Sequence, residues 1–560
     1  MTTQRRKVRR GNAEGARPSA SLSALCVSAL RLPAQGRQEP SWLLMTGLFF
    51  TVLVLVRAAI GDHFSLSIDE GIYLAGAERA AQGQAPYRDF FLLTGPGTFW
   101  LYDLVFRLFG PSLSKARLVV AGEIAFLTTA VFWLLRRLTG RALFSLAAAA
   151  LFAGFLLATP ARLAANHRWD SNALAIAAIV LTAAGMPKRS RALFVLAGMC
   201  AAAAAWVTPP FLIVVATLGA WMLWREESRG HAAFYALGVA LPSSLAVAIL
   251  VKQQAFGAML QHLLWAGANY SQANRVMYGA VLLHDPEMFF GGKEGVELVS
   301  PALRLFAAAV PSILPVAVYA ALGLLWWRRK RNVVQSPRSK VQGPAQTEVY
   351  ATFRMVLVAS AALLAAAYPR LGAAQLLYLT PVFWVLCACV LHESLRERWR
   401  TPCAVVLGLL ACALLIGAST ATLPRSIATR VGDVRCSSRH YALLSALQAK
   451  IKPGDTLFVH PYLPILYFVT GGVNPTRYSF LQPGMMTGRD EANAVAELKA
   501  RPPRWIVWHD FPPELILANW PNSDPKRLHF RAVEDFILIN YHVVDGGQGR
   551  GFRLFEHDQP

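Results

Sequence analysis

The chain is built from apolar stretches of about 20 residues, separated by short polar segments. Stretches of this length are what a helix needs to cross the hydrocarbon core of a bilayer. About eleven transmembrane helices are predicted near residues 41–60, 115–135, 142–159, 172–187, 191–207, 210–224, 232–251, 302–327, 350–368, 374–392 and 403–423. We therefore expect an all-α polytopic membrane protein.

Basic residues occur in short runs at the ends of alternate apolar stretches. Because Lys and Arg collect on the cytoplasmic side of membrane proteins, these runs predict an orientation. Every run faces the cytoplasm if residues 1–40 form a disordered cytoplasmic tail and residues 424–560 lie outside. Residues 61–114 and 252–301 then form the two longest outer loops of the membrane region 41–423.

Composition agrees with this class. Hydrophobic residues make up 55% of the 560 residues and charged residues only 16%, whereas a soluble domain has about a quarter charged residues. The net charge of +23 is distributed among the loops, so it does not predict a nucleic-acid partner. The seven cysteines lie mostly in apolar stretches and predict no disulfide framework. The composition fits a bacterial inner membrane protein.

The segment 424–560 alternates helical and strand patterns, which predicts a small extracytoplasmic α/β domain. Its predicted elements are a helix over His440–Lys450, a strand over Asp455–His460, a helix over Arg489–Ala500, a strand over Arg504–Trp508 and a hairpin around Gly546–Gly551.

Candidate chemistry lies on the outer side, because the cytoplasmic loops contain no nucleotide-binding motif. The first outer loop contains two adjacent carboxylates, Asp69 and Glu70, at the start of a predicted amphipathic helix along the membrane surface that ends at Gly83. A structural interpretation is equally open. Ser67 and Glu70 have the spacing of a capping box, and Asp69 then complements the helix dipole.

This loop resembles that of the GT-C glycosyltransferases, which take sugars from polyprenyl-phosphate carriers. It is most similar to glycosyltransferase family 39 and its relatives, the protein O-mannosyltransferases and the lipid A aminoarabinose and galacturonic acid transferases. The resemblance covers residues 60–190 and returns at Phe458–Tyr478. The matching motifs are Asp69-Glu70, Gly83 to Phe90, Pro96-Gly97-Thr98, and Leu108-Phe109-Gly110 through Arg117.

The resemblance implies a transmembrane glycosyltransferase that moves a sugar from a polyprenyl phosphate to a lipid, glycan or protein acceptor with inversion. Asp69 would be the general base, and the adjacent Glu70 would be a second catalytic residue. Asp170 in the second short outer loop would be a further catalytic carboxylate facing Asp69. Alternatively, Asp170 and Ser171 cap the next helix.

The donor phosphate needs cationic or hydrogen-bonding partners. His167 and Arg168 are suited to it, and the resemblance implies the same role for Arg370. Arg88 is a fourth candidate, although it can instead form a local ion pair with Asp89. One departure concerns Thr94-Gly95, which stands where several family members carry Lys or His near the lipid phosphate.

Tyr73 and Tyr87 are candidates for binding the sugar or the acceptor, since aromatic rings can stack on sugars. No metal motif is present, and no cofactor is required by the pattern. A divalent cation between Asp69 and Asp170 is left open.

Two other classes compete with an enzyme. The first is a transporter or flippase for a cell-envelope lipid or glycan precursor. We interpret the predicted spans as free of charged residues near their middle, which argues against a translocation path. The second is a membrane-anchored binding protein that acts through its C-terminal domain. That class explains the domain but not the polar loops at 61–100 and 162–172.

Overall fold

The protein is described here from a computed structural model. The described residues are 41–159, 162–279, 301–333, 344–419, 423–545 and 551–558. The predicted tail 1–40 lies outside this set, as do residues 546–550 of the predicted hairpin.

Long helices dominate the region before residue 420. In chain order they are α1 Trp42–Ile60, α2 Ile68–Ala81, α3 Gly97–Phe109, α4 Leu113–Thr139, α5 Ala142–Leu157, α6 His167–Lys188, α7 Arg191–Val207, α8 Leu212–Trp224, α9 Ala232–Lys252, α10 Phe256–Trp265, α11 Pro301–Val333, α12 Pro344–Ala366, α13 Ala373–Ser394 and α14 Glu397–Ser419. Each of the predicted spans corresponds to one of these helices.

Eight helices in the described part of the chain are long and apolar enough to cross a membrane. The helices α5, α7 and α8 are apolar but shorter, with 16, 17 and 13 residues. A polytopic, mostly helical membrane protein is therefore confirmed, whereas the count of eleven crossings stays a prediction.

Helix packing depends on small residues where two backbones approach closely. A Cβ atom added to Gly198 of α7 would lie 2.1 Å from the Tyr235 carbonyl oxygen of α9. On the opposite helix, a Cβ atom on Gly238 would lie 2.0 Å from the Val195 carbonyl oxygen. Glycines at both positions therefore allow α7 and α9 to pack with their backbones in contact.

The C-terminal domain confirms the α/β pattern. Its strands are β1 Arg425–Thr429, β2 Gly432–Cys436, β3 Leu457–His460, β4 Trp505–His509, β5 Tyr541–Asp545 and β6 Phe552–His557. Its helices are α15 Ser438–Lys450, α16 Ile465–Thr470, α17 Gly488–Ala500, α18 Pro513–Asn519 and α19 Arg531–Asn540. β1 and β2 form a hairpin, and the four-stranded sheet has the order β3-β4-β6-β5, in which only β3 and β4 are parallel.

Helix α2 connects the membrane region to this domain, and here one expectation is wrong. The predicted surface helix is instead mostly buried, with Leu74 and Ala77 inaccessible to solvent. A Cβ atom added to Gly71 would lie 2.1 Å from the backbone nitrogen of Ile465, so α2 packs directly on α16. Arg430 adds an ion pair with Glu78. The C-terminal domain therefore contacts α2 near its start, at Gly71, and again near its end, at Glu78.

Candidate functional site

A cavity of about 440 Å³ lies between the C-terminal domain and the ends of the membrane helices next to it. Its membrane side is formed by the first turns of α2 and α6, the start of α13 and the residues around Arg370. Loops of the C-terminal domain cover it with Tyr462, Gln482 and Trp520.

Asp69 is exposed to this cavity from the first turn of α2. Ser67 caps the helix by accepting a hydrogen bond from the Glu70 backbone N–H at 3.3 Å. Asp69 Oδ2 accepts a hydrogen bond from Asn166 Nδ2 at 2.9 Å. The Asn166 side chain also caps α6, because its Oδ1 accepts from the backbone N–H of Arg168 at 2.9 Å. Asn166 therefore fixes the Asp69 carboxylate relative to α6.

Glu70 does not line the cavity, and the expected capping box is not formed. Its carboxylate is instead paired with Arg117, whose Nε and Nη2 donate at 2.8 and 2.7 Å. The backbone N–H of Ala165 donates to the same carboxylate at 3.2 Å. Only 1% of the Glu70 side chain is exposed, so it cannot reach a substrate. Its position indicates a structural role, in place of the catalytic role that the resemblance implied.

Three arginines, Arg162, Arg168 and Arg370, line the cavity together with Asp69. No other Asp, Glu, Lys or Arg of the described residues lines it, so the charged side chains give the cavity a positive balance. A phosphate group would bind favourably there, since guanidinium groups form strong, charge-assisted hydrogen bonds with phosphate. Arg162 was missed as an individual residue, although the polar loop 162–172 indicated it.

Arg370 is contacted by residues from two other parts of the chain. Its Nη1 donates to Asn274 Oδ1 at 3.0 Å, and its guanidinium lies 5.7 Å from the Trp520 ring centroid. Burial lowers the pKa of Arg370, while the electrostatic effects of Tyr270 and Asp69 oppose that shift. The side chain is therefore positioned before any ligand binds.

Tyr73 and His167 lie together in the cavity wall, as two of the expected residues. The Tyr73 hydroxyl is hydrogen-bonded to His167 Nδ1. Burial raises the pKa of Tyr73, and the nearby Asp69 carboxylate raises it further. Tyr73 is therefore a neutral hydrogen-bonding group rather than an anion.

Two other expected residues lie outside the cavity. Arg88 forms an ion pair with Asp89 at 2.8 Å. This is the local ion pair that the sequence left open as the alternative to phosphate binding. The Tyr87 ring is buried, and its hydroxyl donates to the Thr94 carbonyl oxygen at 2.5 Å. Tyr87 therefore supports the loop instead of facing a sugar. Thr94 itself does line the cavity.

Asp170 does not face Asp69, which corrects the arrangement that the resemblance implied. It lines a second cavity together with Glu123 of α4, and it accepts a hydrogen bond from the Thr98 hydroxyl. Glu123 also corrects the interpretation that the spans lack inner charges, because it lies inside the predicted span 115–135. The isolated glutamate in that apolar stretch was the signal for it.

The described residues contain no group of three or more His, Cys, Asp or Glu side chains placed to hold a metal ion. Asp69 and Asp170 line different cavities, so a cation shared between them does not fit this arrangement.

Comparisons with known proteins give distant structural similarity. No protein-family model and no curated protein matches the chain. ArnT from Cupriavidus metallidurans bound to undecaprenyl phosphate is 16% identical with a TM-score of 0.43, over 92% of this chain and 98% of that chain. Oligosaccharyltransferase AglB from Archaeoglobus fulgidus, in complex with an inhibitory peptide and a dolichol-phosphate, is 11% identical with a TM-score of 0.48. The match covers 93% of this chain and 75% of that chain. Arabinosyltransferase EmbB from Mycobacterium smegmatis is 14% identical with a TM-score of 0.32, and the match covers 71% of this chain and 43% of that chain.

Proposed function

We propose that the chain is a membrane glycosyltransferase that transfers a sugar from a polyprenyl-phosphate carrier to a lipid, glycan or protein acceptor on the outer face of the membrane. The main support is the cavity in which one exposed carboxylate, Asp69, lies among three arginines at the ends of the membrane helices next to the C-terminal domain. A carboxylate and cations are the two groups that this reaction needs.

In the proposed step, Asp69 accepts the proton of the acceptor hydroxyl as that oxygen bonds to the anomeric carbon of the sugar. The bond between the anomeric carbon and the phosphate oxygen breaks at the same time, and polyprenyl phosphate leaves from the opposite face. The anomeric configuration is therefore inverted. Arg168 and Arg370, with Arg162, stabilise the negative charge of the leaving phosphate. The step requires no cofactor.

Glu70 and Asn166 have positioning roles in this proposal. The Glu70–Arg117 pair connects the start of α2 to α4, and Arg117 Nη1 also donates to the Ile60 carbonyl oxygen at 2.8 Å. Asn166 holds the Asp69 carboxylate by its side-chain amide. An acceptor hydroxyl thus meets a carboxylate whose orientation is set by two neighbouring segments.

A transporter or flippase is the second candidate, and Glu123 is the observation in its favour. An ionisable side chain inside a predicted span is a common feature of translocation paths. Glu123, however, does not line the cavity that contains Asp69 and the arginines. A transporter would not need the Asp69 carboxylate as a base, so Asp69 distinguishes the two functions.

The test compares Asp69→Asn with Asp433→Asn, which removes an exposed carboxylate on β2. Purified variants are assayed for binding of polyprenyl phosphate and for sugar transfer to acceptors in a membrane extract. We expect Asp69→Asn to bind the carrier like the wild type but to lose transfer by at least about a hundredfold, which is a typical contribution of a general base. Transfer by Asp69→Asn at the level of Asp433→Asn would refute the role of Asp69.

A further inference from the structure

The second cavity, of about 690 Å³, lies between α1, α3, α4, α6, α7 and α9. Its wall is almost entirely apolar, and it opens between helices whose outward residues face the lipid, such as Leu245, which is 62% exposed. Glu123 and Asp170 are the acidic residues in this wall, and no Lys, Arg or His of the described residues lines it. The cavity therefore combines a lipid-like wall with acidic groups that no cation in the wall balances.

The two carboxyl groups lie close enough together to share a hydrogen bond. Two carboxylates cannot form this bond without a proton, so at least one proton lies between them. Apart from this bond, Asp170 Oδ1 and Glu123 Oε2 have no hydrogen-bond partner among the described residues.

Asp170 is the partner that carries the negative charge. It lies on the first turn of α6, where the helix dipole stabilises an anion, and its other oxygen accepts the Thr98 hydroxyl. Glu123 lies in the middle of α4, without a helix end nearby, and is therefore the proton donor. Only 2% of Asp170 is exposed, so its charge is enclosed by protein and by the cavity.

Aromatic rings add to the attraction for a cation. Trp100, Trp206 and Phe126 all line the same cavity as the carboxyl pair. The faces of such rings attract ammonium groups, most strongly in a site without water. An amphiphile with an ammonium headgroup would thus meet a negative charge, aromatic rings and an apolar wall within one cavity.

We propose that this cavity binds an amphiphile with a protonated amine headgroup, placed against Asp170 and Glu123, with its hydrocarbon chain along the apolar wall. The site is separate from the cavity around Asp69. Binding does not depend on sugar transfer, so this proposal and the proposed function can fail independently. A neutral alcohol of the same length would leave the charge of Asp170 uncompensated, and an anionic amphiphile would be repelled by it.

The experiment uses the full chain in nanodiscs of phosphatidylcholine. Three brominated probes of equal chain length are added: a bromoalkylamine, the corresponding alcohol and the corresponding sulfonate. Bromine quenches nearby tryptophans, so the saturable part of the quenching reports occupancy beside Trp100 and Trp206. We expect the amine to reach half-saturation of the wild-type protein at a lower mole fraction in the lipid than the alcohol, by about tenfold or more. The reason is that a charge-assisted contact contributes enough binding free energy for a tenfold difference in affinity. The sulfonate should show no saturable quenching.

Two variants then separate the charge from the shape of the site. Asp170→Asn removes the charge and should reduce amine binding to the level of the alcohol. Glu123→Gln keeps the charge, because the new amide can donate to Asp170, and should bind the amine within about threefold of the wild type. Asp433→Asn serves as the control for the loss of an exposed carboxylate, and alcohol binding by each variant shows that its cavity is intact.

Equal binding of amine and alcohol by the wild-type protein would overturn the proposal, and this comparison needs no variant to fold. Unchanged amine binding in Asp170→Asn would also overturn it. Saturable binding of the alcohol alone would identify the cavity as a site for neutral lipids instead.

Discussion

The ion pair between Glu70 and Arg117 gives the sharpest prediction about how the site is built. Glu70→Gln preserves the size of the side chain but leaves the buried Arg117 charge without its partner. Arg117→Met removes the guanidinium and leaves the Glu70 carboxylate buried alone. The double variant Glu70→Gln/Arg117→Met removes both charges together.

The size of the effect follows from burial. Only 1% of Glu70 and 2% of Arg117 is exposed, so water cannot replace a missing partner. Removing one member of a buried pair typically costs about 3–5 kcal/mol. Removing both charges avoids the uncompensated charge, so the double variant should be less destabilised than the sum of the two single variants.

Thermal unfolding of the purified variants in detergent measures these differences, and the transfer assay reports the site. We expect both single variants to melt well below the wild type and the double variant to recover part of the melting temperature and part of the transfer. Single variants that melt like the wild type would refute the structural role. A fully stable Glu70→Gln protein without transfer would instead restore Glu70 as a catalytic residue.

Three further predictions concern the cavity, the contact of α2 and the effect of pH. Arg168→Ala and Arg370→Ala should each weaken polyprenyl phosphate binding by about tenfold, since hydrogen bonds to charged groups contribute about 1.5–3 kcal/mol. Arg88→Ala, outside the cavity, is their control, and unchanged affinity in both cavity variants would exclude these residues from phosphate binding. Gly71→Ala should prevent α2 from packing on α16 and lower the melting temperature. Gly47 has open space around it, so Gly47→Ala should leave the melting temperature unchanged. Equal melting temperatures of the two variants would contradict the close contact at Gly71. Burial lowers the pKa of His63 and of His262 to about 4, so both are neutral in the folded protein. In the unfolded chain both histidines are protonated below about pH 6.5, so the melting temperature should fall as the pH is lowered from about 6.5 to 4. The fall should be smaller in the double variant His63→Gln/His262→Gln. An equal fall in the double variant would show that other groups cause the loss of stability.

The helices and strands could be predicted because their patterns are local. The apolar stretches correspond to helices, and the predicted helix over His440–Lys450 is found at Ser438–Lys450. The candidate site depends on residues that are distant in sequence, and here the prediction was only partly right. Tyr73, His167, Arg168 and Arg370, which were predicted separately, all line the same cavity as Asp69.

The partners of individual side chains could not be predicted, because tertiary packing selects them. The spacing of Ser67 and Glu70 fits a capping box, but an arginine 47 residues away binds the Glu70 carboxylate more strongly than a backbone N–H could. Asn166 reaches Asp69 over 97 residues, and no local pattern indicates that contact. Asp170 was predicted in an outer loop, but it lies on the first turn of α6, where Thr98 and Glu123 contact it on the wall of the other cavity.

The central claim is that the cavity around Asp69 transfers a sugar from a lipid carrier. The most direct measurement offers purified wild-type protein a panel of radiolabelled polyprenyl-phosphate sugars, with a membrane extract as the source of acceptors, and nucleotide sugars as the control. We predict transfer of label from at least one polyprenyl-phosphate donor and none from nucleotide sugars. No transfer from any donor, together with energy-dependent movement of a labelled lipid across proteoliposomes, would contradict the claim and identify a transporter.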